Sequence, residues 1–310
     1  MRILYDLIPS EAETAVALGF FDGVHRGHRA VLSDAVACKK DGLVPAAFTF
    51  RHTPKPRDRN MQLLTFERKI ELLEEIGIEL LYVIDFDKVR RKSPEQFVRE
   101  IVSGVFNARR VFCGFNYRFG ASGGGNTDDL VRLCRAENIL ATVCAPVTVD
   151  GMLASSTEIR GLLRDGDVRR ANRLLGYEFG IRGVTVEGNH LGSAMETPTV
   201  NLMIPHELVL PRFGVYASRV SFDGKSYIGV TNIGVKPTVG DSNAPNCETW
   251  MPEYEGGKLY GKEVEVRLVG FIRPEKRFES LSELEKAIKN DGGLALRMMK
   301  NEYKTNNNNQ

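Results

Sequence analysis

The first half of the chain exchanges two periodicities in a regular order. Short apolar runs at residues 14–21, 43–50, 80–86, 110–113 and 139–145 alternate with segments of helical spacing at 27–39, from 65 to 77 and at 127–136. In the second of those helices Phe66, Ile70, Leu73 and Ile76 recur on one side, and Gly77 ends it. Ser93-Pro94-Glu95-Gln96 is a further helix start, with a capping serine, proline in the first turn and glutamine three residues after the cap. Strand, helix, strand repeated in this way predicts a parallel sheet with helices on both faces. Such sheets bind ligands at the carboxyl ends of their strands.

The pattern changes after about Gly176. Residues 181–187, 215–222, 226–233 and 263–272 read as strands rich in Val, Ile and Tyr, and Asp223-Gly224 between two of them predicts a tight hairpin. A long helix comes only at 280–303, so an all-β domain closed by a C-terminal helix is expected. Short helices at 157–163 and 168–175 are expected to link the halves. The 310 residues suit two domains, set here at 1–178 and 179–305, and residues 306–310, with nothing apolar to bury, are expected to be disordered.

Charge narrows the function classes. Lys and Arg number 42 against 40 Asp and Glu, a balance of +2, which argues against a surface built to coat nucleic acid or an anionic membrane but allows a local phosphate site. No apolar run approaches a membrane span, and the start of the chain lacks a signal-peptide core, so a cytoplasmic protein acting on small molecules as a monomer or weak homo-oligomer is expected. Five scattered cysteines without a CxxC pair make a disulfide framework or a zinc site unexpected.

One segment concentrates phosphate chemistry. Gly19, Phe21, Asp22, Gly23, His25, Gly27 and His28 follow the first expected strand and open the first helix. Gly27 lets a phosphate approach the backbone, the helix start offers free N–H groups, and His25 and His28 can donate hydrogen bonds to phosphate oxygens.

With its HxGH core, this segment resembles the first motif of the bacterial bifunctional riboflavin kinase/FMN adenylyltransferase family, also called FAD synthetases. Two further stretches resemble family motifs in the same order: Cys113 to Gly120 with the glycine-rich loop after it, and Ser155-Ser156-Thr157-Glu158-Ile159-Arg160. The resemblance implies a Rossmann-like nucleotidyltransferase domain followed by a small antiparallel β-barrel kinase domain. It places Asn116 at the nucleotide or flavin phosphate, and Ser156, Thr157 and Arg160 on a phosphate. One departure is His52, which lies one place nearer the amino end than the family's histidine and takes no catalytic role by resemblance.

In the second half Thr199 and Asn201 resemble a P-T-A-N motif that binds Mg²⁺ and ATP phosphates, and their oxygens suit a hard cation. Glu248 matches the family's general base. The loop of Gly188 and Gly192 is expected at the ATP phosphates, although Ser193 and Glu196 depart from its pattern. Trp250 stands where the family has histidine and is a candidate to stack on the flavin. The resemblance thus implies ATP as co-substrate, FMN and FAD as substrate and product, and Mg²⁺ in both reactions. Alternatives are an adenylyltransferase whose kinase half is weak or inactive, and a non-catalytic flavin-binding regulator.

Overall fold

A computed structural model describes residues 1–53, 61–186, 199–235 and 245–307. The chain divides into two compact units, Met1–Ser156 and Thr157–Gln310.

The first unit is built on a six-stranded parallel sheet of β1 (Arg2–Leu4), β2 (Thr14–Leu18), β3 (Val44–Phe50), β4 (Leu80–Ile84), β5 (Ala108–Gly114) and β6 (Leu140–Cys144). Their order across the sheet is β1-β4-β3-β2-β5-β6. β2 and β4 are buried along their whole length, which is why they read as unbroken apolar runs rather than alternating ones. The crossovers are α1 (Arg26–Ala37), α2 (Phe66–Ile76), α3 (Pro94–Gln96), which continues as a π-helix over Phe97–Ser103, and α4 (Thr127–Ala136). Thr65 caps α2 through its hydroxyl and Gly77 ends it at a φ of 107°, a value costly for any residue with a Cβ. Ser93 and Gln96 form the expected capping box. From β2 the chain winds one way to β3 and β4, then returns to lay β5 on the other side of β2. The sheet's switch point therefore lies between β2 and β5, where parallel α/β sheets open a ligand crevice. A small hairpin, β7 (Thr148–Val149) and β8 (Met152–Leu153), closes the unit.

The second unit starts with α5 (Ser156–Asp165) and α6 (Val168–Leu175). Its antiparallel sheet consists of β9 (Gly180–Val184), β10 (Thr199–Met203), β11 (Gly214–Phe222), β12 (Lys225–Val235), β13 (Pro245–Trp250) and β14 (Glu263–Arg273), in the order β10-β13-β12-β11-β14-β9. The Val186 N–H donates to the Asn201 carbonyl at 2.9 Å just beyond β9, so the barrel is nearly closed. Asp223 and Gly224 take positive φ and join β11 to β12 in the two-residue turn their sequence predicts. Inside the barrel the buried Ser218, Thr231 and Thr249 hydroxyls satisfy one another in a chain of 2.6 and 2.8 Å. The outer face of β11 and β12 carries α7 (Leu281–Asn307), with Ala295 among Val215, Ala217 and Val230.

Five of the described strands lie where none was expected, the two-residue strands of the β7–β8 hairpin among them. β1 is three residues long and too short to show a period. β13 buries Asn246, Glu248 and Thr249, so polar residues interrupt its apolar pattern, and β10 carries buried Asn201 in the same way. α7 runs to Asn307, so residues 306 and 307, expected in a disordered tail, close a helix instead. All five cysteines are buried free thiols, and burial pushes Cys113, Cys134, Cys144 and Cys247 up to about 12, which keeps them protonated and inert.

Candidate active sites

After β2 the backbone turns sharply, with φ of 55° at Phe21, 83° at Gly23 and 34° at Val24. Positive φ is costly for Phe and Val, and packing holds it here, since Phe21 is 1% exposed and Val24 0%. The turn delivers His25 to the N-cap of α1, where its Nδ1 accepts the His28 backbone N–H at 3.3 Å. A neutral imidazole that accepts at Nδ1 carries its proton on Nε2, where it can act as a donor. The His25 and His28 rings stack with centroids 3.6 Å apart and 21° between planes, and Phe21 meets His28 edge-on at 5.4 Å. Burial first, then the charges of His25 and Lys69, hold the His28 pKa well below the usual histidine value. His28 Nδ1 is buried without a hydrogen-bond partner among the described residues.

The rest of the first motif builds this turn. Asp22 Oδ1 accepts the Leu63 N–H at 2.8 Å, and its carbonyl accepts the Ser156 hydroxyl, also at 2.8 Å. A Cβ on Gly19 would stand 2.8 Å from the Phe21 ring, and one on Gly27 would stand 3.0 Å from the Ala154 carbonyl and 3.1 Å from the His25 ring. Both glycines are therefore demanded by close approach. Asn116 is exposed in the turn after β5, on the other side of the switch point. Of the glycine-rich loop beyond it, Phe119 and Gly125 exchange two backbone hydrogen bonds, and a Cβ on Gly120 would meet the Pro94 nitrogen at 2.9 Å. That loop is a folded turn in which Gly120 and Gly125 leave no room for a Cβ, the latter against the Phe119 ring at 2.8 Å. Exposed Thr157, with Arg160 one turn on, continues α5 past the boundary of the first unit. His52 is exposed in the bend after β3.

The first unit also buries a lysine beside this turn that the sequence reading did not single out. Lys69 of α2 is 1% exposed, and its ammonium donates to the Phe20 carbonyl at 3.1 Å, immediately before the turn.

In the second unit, Glu248 of β13 lies directly between Asn201 of β10 and Asn232 of β12, while Trp250 lies between Thr199 and Val230. Side chains two apart on a strand share a face, so Glu248 and Trp250 look the same way. They line a cavity of about 190 Å³ with Thr199, Asn232, Arg273 and Phe278, roofed by Leu284, Ile288 and Asp291 of α7. Glu248 is 4% and Asn201 3% exposed, and Asn201 Nδ2 donates to Thr199 Oγ1 at 3.3 Å. Thr199 and Asn201 form an all-oxygen donor pair beside a carboxylate, a set suited to a hard divalent cation that also takes phosphate oxygens. Gly292 of α7 leaves room for the Trp250 ring, since a Cβ there would stand 2.9 Å from it. Gly188, Gly192, Ser193 and Glu196 lie outside the described residues.

Comparisons with known proteins match both units. A family model described as FAD synthetase matches residues 7–158, and one described as riboflavin kinase matches residues 175–299. The bifunctional riboflavin kinase/FMN adenylyltransferase of Bacillus subtilis is 33% identical, with 94% of each chain covered. That of Listeria monocytogenes is 30% identical, with 91% of each covered. The crystal structure of a macrolide-efflux protein from Streptococcus pneumoniae is 27% identical with a TM-score of 0.84, covering 95% of this chain and 98% of that one. Among the described residues no helix is long and apolar enough to cross a membrane.

Proposed function

We propose, for a chain that belongs to the bifunctional riboflavin kinase/FMN adenylyltransferase family, which residues carry each of its two reactions. The chain is a transferase of flavin-cofactor biosynthesis that phosphorylates riboflavin to FMN and adenylylates FMN to FAD, with ATP as the donor.

The stacked pair of His25 and His28 at the start of α1 is the observation that carries the first assignment. An oxygen of the FMN phosphate attacks the α-phosphorus of ATP. The new P–O bond forms as the bond to the bridging oxygen breaks, and pyrophosphate leaves with that electron pair. The attacking oxygen is already anionic, so no strong base is required. What the site must supply is fixed hydrogen-bond donation to charge that grows at phosphorus. His25 supplies its Nε2–H, held in that tautomer by the bond at Nδ1. His28, kept neutral by burial and its charged neighbours, supplies a second imidazole donor. Gly27 and the first N–H groups of α1 receive phosphate oxygens, with Gly19, Phe21, Asp22 and Gly23 holding the turn. Asn116, Ser156, Thr157 and Arg160 complete this reading as phosphate contacts, Asn116 also toward the flavin.

In the second unit Glu248 takes the proton from the 5′-hydroxyl of riboflavin as that oxygen attacks the γ-phosphorus and ADP departs. Thr199 and Asn201 would hold Mg²⁺, which when bound neutralises charge on the ATP phosphates. Trp250 forms a wall for the flavin ring, and Gly188 and Gly192, outside the described residues, are assigned to phosphate binding by resemblance alone. We set the functional boundary near residue 178, after α6. We place the protein in the cytoplasm as a monomer or weak homo-oligomer, and its charge balance of +2 fits small-molecule substrates rather than nucleic acid.

The test is chromatography of the flavins after incubation of the full chain with ATP, Mg²⁺ and either riboflavin or FMN. Riboflavin should yield FMN and then FAD, and FMN should yield FAD. FAD from FMN without FMN from riboflavin would leave an adenylyltransferase with an idle kinase half, as Ser193 and Glu196 suggest. Neither product, with flavin still bound, would replace this reading with a regulatory one.

A further inference from the structure

We infer that Lys69 is a positioning residue of adenylyl transfer, its buried ammonium fixing the turn that carries His25 and His28. The inference rests on the assignment of that reaction to the first unit.

Lys69 is among the largest fully buried side chains of the molecule, beside Leu72 and Leu73 on the buried face of α2. Folding alone gives no reason for a charge here. A buried ammonium carries a desolvation cost that a methionine or leucine of similar volume would avoid. The groups that offset this cost all belong to the turn. The ammonium donates to the Phe20 carbonyl at 3.1 Å and lies 4.0 Å from the centre of the Phe20 ring. The Asp22 carboxylate, one residue past Phe21, opposes its desolvation. The same Phe20 carbonyl accepts the Thr49 hydroxyl at 2.9 Å, so α2 and the end of β3 grip one peptide. That peptide directly precedes the positive-φ residues Phe21 and Val24 and the capping His25. A turn held against backbone strain needs such a grip, and a small displacement there would be passed to both imidazoles.

Charge adds a second consequence. Among the described residues, the titratable groups that face Lys69 are Asp22 in the turn and His28 on α1, itself stacked on His25. Burial lowers Lys69 to about 8, so it remains cationic at neutral pH. That cation disfavours protonation of His28, which keeps the stacked pair from becoming two adjacent cations. The working state is therefore an ammonium below a neutral imidazole pair.

The experiment compares wild type, Lys69→Met and Lys69→Arg in the full chain. FAD formation from FMN and ATP gives kcat, KM and the pH profile, circular dichroism with thermal unfolding reports intact folding of both units, and NMR follows the His28 imidazole. Lys69→Met should lower kcat for FAD about tenfold or more with a smaller change in KM for FMN, and should raise the His28 pKa. Lys69→Arg should keep the low His28 pKa. Wild-type FAD formation should decline as pH rises through about 8, where Lys69 loses its proton, and Lys69→Arg should lack that decline. Unchanged kcat in Lys69→Met, or lost kcat with the His28 titration unmoved, would overturn the inference. If Lys69→Met does not fold, the wild-type decline near pH 8 and its absence in Lys69→Arg decide the matter, and a profile shared by both chains rejects it. A wild type that makes FMN but no FAD would instead refute the assignment of the reaction, a failure visible without any Lys69 variant.

Discussion

A histidine that caps a helix through Nδ1 has that nitrogen committed as an acceptor and carries its proton on the other, at a fixed place. His25 is in that position, and Gly27 is the residue that keeps it there. A methyl group at 27 would crowd the Ala154 carbonyl at 3.0 Å and the His25 ring at 3.1 Å, contacts that relax only if the ring moves by a few tenths of an ångström. Gly27→Ala should therefore slow FAD formation about tenfold in kcat while leaving FMN formation intact, measured by initial rates with each flavin. The two histidines and this glycine were legible in the sequence because their spacing at a strand–helix junction has a chemical meaning. Lys69 was not. It falls next to the apolar stripe of Phe66, Ile70, Leu73 and Ile76, where a lysine ordinarily runs its stem over apolar surface and keeps its charge in water. The turn after β2, which meets α2 through Phe20 and Asp22, is what makes it a buried charge.

At the scale of elements, the second site depends on a helix laid against strands. α7 is tied to the end of β14 by Arg273, whose Nε and Nη2 reach the Asp291 carboxylate at 3.1 and 2.9 Å. Asp291 is 4% exposed and both residues line the cavity, so removing the carboxylate leaves a largely buried guanidinium without its partner. Asp291→Ala should lower unfolding stability by about 3 kcal/mol and raise KM for riboflavin more than it lowers kcat. The chain's one tryptophan, Trp250, reports on both, since its fluorescence in a urea titration follows unfolding and its quenching follows flavin entry. The elements with clear caps and uninterrupted periods were legible in advance: α2 between Thr65 and Gly77, α4, and the hairpin at Asp223-Gly224. β10 and β13 were not, because the strands that carry the polar residues of a site lose the alternation by which strands are recognised. Asn201, Glu248 and Trp250 interrupt the very pattern that would have placed them on adjacent strands.

For the whole molecule, the change of periodicity near Gly176 separated a parallel sheet from an antiparallel barrel, and the structure has both. Where the units divide was less legible: compactness places the division after Ser156, the first residue of α5, and α5 and α6 carry no strand-to-barrel change in pattern to mark it. The near-neutral charge proved compatible with phosphate chemistry because each candidate site gathers its own few groups. The central claim is that two chemically distinct sites, one in each unit, perform the two reactions. Product analysis of His28→Ala and Glu248→Gln tests it most directly. Given riboflavin and ATP, His28→Ala should accumulate FMN and form no FAD; Glu248→Gln should form nothing from riboflavin yet convert FMN to FAD at the wild-type rate. Parallel loss of both products in either variant would contradict the account.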